Sequence, residues 1–188
     1  MIDGMNDARF PRLTEESMTR EQRQVAAAIA AGPRGEVRGP FIPLLHHPAL
    51  AQKIQQLGEE LRWKGRLPPA LTELAVLITA RRWTCQHEWL IHEKLARRAG
   101  VSGSLIDDLQ AGRQPSHMTE DEAAVLAFCT EAHATGRVGE AAFNKILERF
   151  GREGAVELLV LCGYYSMMAM VLNTASMPLP DDAPAPLQ

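Results

Sequence analysis

Leu71-Thr72-Glu73-Leu74-Ala75-Val76-Leu77-Ile78-Thr79-Ala80, followed after a short turn by Cys85-Gln86-His87-Glu88-Trp89-Leu90-Ile91-His92, is the stretch on which the reading of this chain turns. In the first run, Leu71, Leu74, Ala75, Val76, Leu77, Ile78 and Ala80, with Ala70 before them, leave almost no polar stripe. Such a helix belongs at the centre of a fold. Glu73 shares its side with Val76, Leu77 and Ala80, so its carboxylate faces a confined space. Burial there requires a partner or a proton. In the second run, at about 100° per residue, Cys85, Glu88, Trp89 and His92 fall within an arc of roughly 100°. A thiol, a carboxylate, an indole and an imidazole then converge on one face, a grouping suited to acid–base or thiol chemistry.

Outside this stretch strand signals are nearly absent, whereas helical periodicity recurs from Thr19 onward, so the fold class is all-α. Thr19 with Gln22 and Thr119 with Glu122 have capping-box spacing and mark helix starts near Arg20 and Glu120. Helices are expected at 20–31, 47–63, 68–82, 85–99, 103–111, 119–135, 139–150 and 152–174. Gly32-Pro33-Arg34-Gly35 stops the first, and Pro40, Pro43 and Pro48 keep the Arg38 to Pro48 segment a loop. Gly100 closes the helix that carries His92. Residues 1–176 read as a single domain with its core at 65–112, and 177–188 as a Pro-rich flexible tail.

With 188 residues, 46% of them apolar and 23% charged, the chain can bury a core unaided. The net charge is −3, and Arg20, Arg23, Arg34, Arg38, Arg97 and Arg98 are dispersed among acids, which argues against a nucleic-acid partner. Met1 to Phe10 carries Asp3, Asn6 and Asp7 and lacks an apolar signal core, so a cytoplasmic location is expected. The Leu158 to Leu172 stretch is short for a membrane span and reads as a buried or interface helix. Cys85, Cys129 and Cys162 form no CxxC, and Cys129 and Cys162 lie among apolar residues as core.

Each candidate has a plainer reading. Glu88 and His92 also fit an exposed i,i+4 pair worth a few tenths of a kcal/mol, although Trp89 beside them argues against a merely solvated face. Cys85 can be an inert small residue, or a thiolate favoured by a helix N-terminus. His87 lies about 100° from Glu88 on the wheel and is read as a support, interface or substrate-side residue. His46 and His47 read as exposed loop histidines, and Tyr164, Tyr165, Met167, Met168 and Met170 as core or subunit interface. Glu73, Glu88 and His92 could ligate a metal, but their spacing is no diagnostic metal motif.

The glutamate-bearing apolar helix, the Glu88-Trp89-x-x-His92 segment, Ala96, Ala99-Gly100-Val101-Ser102 and Ile106 resemble the carboxymuconolactone decarboxylase and alkylhydroperoxidase D (AhpD-like) superfamily. The likeness runs from about Gly65 to Gly112 and more weakly over Glu120 to Asn173. The peroxidase pattern places Glu73 on its glutamate, Cys85 on its first cysteine, and His87 and His92 on its histidines. Glu88 stands where the second cysteine would be, and nothing in the sequence brings Cys129 or Cys162 near, so a dithiol peroxidase cycle is not expected of this protein.

The decarboxylase branch has the Glu-x-x-x-His pair instead. It implies a cofactor-free enzyme of small carboxylated lactones, forming helical homo-oligomers, commonly trimers or hexamers. On this reading His92 is the acid or base, Glu88 orients it, Glu73 relays or holds a proton, Trp89 is an apolar wall, and Cys85 is a pocket residue. The alternatives are a thiol peroxidase centred on Cys85 and a non-catalytic helical binding or assembly module.

Overall fold

The computed structural model describes residues 9–179 and 183–188, so Asp3, Asn6 and Asp7 at the start and Pro180, Asp181 and Asp182 in the tail lie outside the described residues. Among the described residues eight helices follow in order: α1 Arg20–Ala31, α2 Phe41–Leu44, α3 Pro48–Trp63, α4 Pro69–Arg82, α5 Gln86–Ala99, α6 Gly103–Gln110, α7 Glu120–Thr135 and α8 Glu140–Ala175. The described residues contain no strand. Both capping boxes form: the Thr19 and Thr119 hydroxyls accept from the Gln22 and Glu122 backbone N–H groups, and the side chains of those residues reach back. Gly100 adopts φ 99° and closes α5.

Packing gathers the described residues into two compact units. The first comprises the described residues up to Lys64 together with Met170–Met177. In it α1 and α2 pack on α3, around Val25, Ile29, Phe41, Leu45 and Ala51. The single turn α2 corrects the expectation of a helix-free loop. Pro40 caps it and Pro43 lies within its first turn, where a missing N–H leaves no intrahelical bond unmade. His46 and His47 are exposed, with His46 Nε2 donating to the Pro11 carbonyl at 2.9 Å.

The second unit holds Gly65–Ala169 and the described part of Pro178–Gln188. Its centre is α4, buried on all sides from Leu71 to Ala80 apart from Glu73, and packed against α5, α6 and α7. The carboxylate of Glu157 on α8 accepts from the backbone N–H groups of Arg66 and Leu67, fixing the entry to α4. α8 is interrupted at Gly151, whose φ of 67° and ψ of −175° suit glycine alone, so helices over 140–150 and 152–175 meet at a break. By length and composition α8 is long and apolar enough to cross a membrane, but half of its most apolar window is buried.

The tail forms no regular element, yet it is not loose where described. The Gln86 amide donates to the Leu187 carbonyl at 2.7 Å and accepts from the Leu187 N–H at 2.8 Å, and Gln110 donates to the Pro186 carbonyl. With Leu187 buried, these bonds order a segment whose composition alone reads as flexible.

Candidate functional site

The corner from α4 to α5 is tight. Thr84 takes φ 47°, a strained setting for a β-branched residue, and the Cys85 N–H donates to the Ala80 carbonyl at 2.8 Å. Cys85 thereby becomes the residue that caps α5, and the arc expected from the sequence turns inward: Cys85, Glu88, Trp89 and His92 are all buried.

His92 meets α4. Its Nδ1 lies 2.6 Å from Glu73 Oε2, so the carboxylate accepts a hydrogen bond from that ring nitrogen. The side chains are 6% and 14% exposed respectively, so this pair meets solvent on the Glu73 side. The carboxylate expected to relay a proton is thus hydrogen-bonded to the imidazole. Tyr165 of α8 packs edge-to-face on His92, with ring centroids 5.0 Å apart, and Tyr164 meets Tyr165 in the same edge-to-face manner at 5.3 Å. Sequence reasoning treated Tyr165 as core or interface. Its place beside His92 has no local signal, because it depends on how α8 packs.

Glu88 stands one turn before His92, close enough to Cys85 for its charge to act on the thiol. Burial first, and then Glu88, push Cys85 up to about 12, against the lowering effect of the Glu88 and His87 backbone N–H groups. Of the two readings of Cys85, this direction favours the inert residue over the thiolate. Desolvation of an anion outweighs the helix-end amides when no cation is near.

Trp89 is fully buried, and its Nε1–H has no acceptor among the described residues, a costly arrangement for an indole donor. His87 is half-buried, with Nδ1 bonded to the Pro178 carbonyl at 2.9 Å. Burial lowers its pKa, the Pro178 carbonyl opposes that, and the neighbouring charge of His92 lowers it further. No group of three or more His, Cys, Asp or Glu side chains among the described residues is arranged to hold a metal ion.

A second group of side chains escaped the sequence reading. Thr79 of α4 and His133 of α7 meet, Oγ1 to Nε2, at 2.9 Å, and Cys129 on α7 and Cys162 on α8, read as core, are buried. The signal available was Cys129-x-x-x-His133 on one helix, the same spacing that drew attention to Glu88 and His92.

The carboxymuconolactone decarboxylase family model matches residues 48–136, a span containing Glu73, Cys85, Glu88 and His92. No curated protein sequence matches the chain. Among solved structures, the fold is similar to an alkylhydroperoxidase AhpD core from Ralstonia eutropha JMP134, described as an uncharacterized peroxidase-related protein. The two share 21% identity with a TM-score of 0.75, over 93% of each chain. Residues 48–136 thus carry the carboxymuconolactone decarboxylase family pattern, within a helical fold similar to that of an AhpD core.

Proposed function

We propose that the chain is an acid–base enzyme acting on a small carboxylated lactone or a related metabolite of aromatic breakdown. The observation that carries this reading is the buried Glu73–His92 hydrogen bond of 2.6 Å. A carboxylate on Nδ1 orients the ring, sets its tautomer and stabilises the imidazolium that forms when Nε2 accepts a proton. In a decarboxylating lyase that proton would come from, or return to, the carbon next to an enol or enolate.

The remaining groups fit around this step. Tyr165 restrains the His92 ring from the face opposite in character to the polar Glu73 contact. Trp89 contributes a buried N–H that a substrate carboxylate or lactone carbonyl can accept from, in addition to the apolar wall expected from the sequence. Glu88 adds negative charge near Cys85, favouring a cationic His92 over a thiolate. The thiol enzyme centred on Cys85 is the less favoured reading, because a thiol raised to about 12 holds almost no thiolate near neutral pH.

A screen of lactone acids and organic hydroperoxides tests the proposal directly. We expect lactone turnover by the wild type, reduced about 10²- to 10⁴-fold in Glu73→Gln and in His92→Ala with helicity retained. Turnover of lactone acids that survives both substitutions in folded protein would sink the acid–base assignment. Peroxide turnover that disappears in Cys85→Ser would instead favour the thiol enzyme.

A further inference from the structure

The pairing of Gln86 with Leu187 takes no part in the Glu73–His92 chemistry, and its form is that of peptide recognition. A carboxamide offers both an acceptor and donors, and Gln86 spends one of each on the backbone of a single residue. It accepts from the Leu187 N–H at 2.8 Å and donates to the Leu187 carbonyl at 2.7 Å, as a neighbouring strand would. Gln110, at the end of α6, donates to the Pro186 carbonyl at 3.0 Å. Pro184 and Pro186 have no N–H to satisfy and favour an extended chain, which lowers the entropy lost on docking. Leu187 is buried while Pro184, Ala185 and Gln188 are exposed, so one side chain anchors the segment.

This segment docks on the first turn of α5. Gln86 is the first residue of that helix and Cys85 its cap. The next residue, His87, donates from Nδ1 to the Pro178 carbonyl at 2.9 Å. Gln86 and His87, the half-buried pair of the turn, are therefore held from residues 187 and 178, while Glu88 and Trp89 lie buried with Cys85. Just before them Thr84 holds φ 47°, a strained setting that persists only where the surroundings prevent its relaxation.

We propose that residues 186–187 are a releasable strap: docked, they keep the α4–α5 corner shut over Cys85, and undocked, they open that end of the inward face to small molecules. The inference does not rest on the acid–base reading of His92, because closing the corner is independent of the reaction carried out behind it. A segment outside regular structure, anchored by one side chain and the three bonds to Gln86 and Gln110, opens far more readily than the packed helices beneath it. Burial is the larger cause that pushes the Cys85 thiol up, so water admitted at the corner makes the thiol more reactive as well as reachable.

The test is alkylation of the native full chain by iodoacetamide, with the rate at each cysteine read by peptide mass spectrometry. Leu187→Asp unseats the anchor, and Gln86→Ala removes both backbone bonds. Each variant, checked for retained helicity, should raise the Cys85 rate on the order of tenfold. Cys129, fully buried in the same unit, should stay as unreactive as in the wild type. Ala185→Asp, which puts the same charge on an exposed neighbour, should leave Cys85 at the wild-type rate. A Cys85 rate unmoved by Leu187→Asp or by Gln86→Ala, one raised as much by Ala185→Asp, or a rise that Cys129 shares through general loosening would each overturn the strap.

Discussion

His92 has its Nδ1 proton committed to Glu73, and what each neighbouring residue can do follows from how much water it has lost. Cys85 and Cys162 sit in the same unit and are both buried, yet their thiols move in opposite directions. Cys85 is pushed up by burial and by the negative charge of Glu88, whereas polar neighbours, Cys129 first and then His133, hold Cys162 down against its burial. His87 offers a test at this scale. Burial, opposed by the Pro178 carbonyl and reinforced by His92, holds its pKa below the ordinary 6.5. The unfolded chain therefore takes up the proton first as pH falls, so stability is retained above about pH 6.5 and lost as pH drops through the folded value. Thermal melting at about pH 7 and about pH 5.5 should show a smaller acid loss in His87→Gln than in the wild type. Equal losses would mean that the ring is not desolvated as described.

Among the elements, α8 shows most clearly why individual glycines stand where they do. Gly151 occupies a backbone region closed to other residues and lets the helix change direction. A Cβ added at Gly154 would collide with the Phe150 Cβ, a contact that cannot be relieved by rotating a flexible side chain. At Gly163 a Cβ would meet nothing within 4 Å. Gly154→Ala should therefore destabilise by about 1–3 kcal/mol through overpacking, while Gly163→Ala should be neutral or stabilising by about 0.5–1 kcal/mol. Urea titration of both variants checks the contrast, and equal midpoints would refute it. In the sequence Gly151 falls between two expected helices, and Gly154 and Gly163 lie inside the second. The crowding at Gly154 exists because the break at Gly151 folds Phe150 back toward it.

For the whole molecule, Val156, Leu159 and Val160 on α8 are 59%, 47% and 37% exposed, an apolar strip at helical spacing. We propose that it is covered by further copies of this chain in a closed homo-oligomer. Light scattering at micromolar concentration should report a multiple of the chain mass, and Leu159→Glu should lower that mass without loss of helicity. A monomer across the concentration range would remove the proposal.

Much of this architecture was legible from the sequence by itself. Helical class, most helix limits, both capping boxes, the central position of α4 and the inward face shared by Cys85, Glu88, Trp89 and His92 all follow from local periodicity and end chemistry. These act within a turn or two of chain. The tertiary structure alone decided that Glu73 bonds His92 across 19 residues, that Tyr165 backs the imidazole and that Gln86 holds Leu187. The reason is physical: periodicity sets the direction in which a side chain leaves its helix, whereas the surface it meets depends on how whole helices bury one another. The same holds for Cys85. Its place at a helix start was readable from sequence, but the desolvation that keeps its proton on exists only once the fold has closed around it.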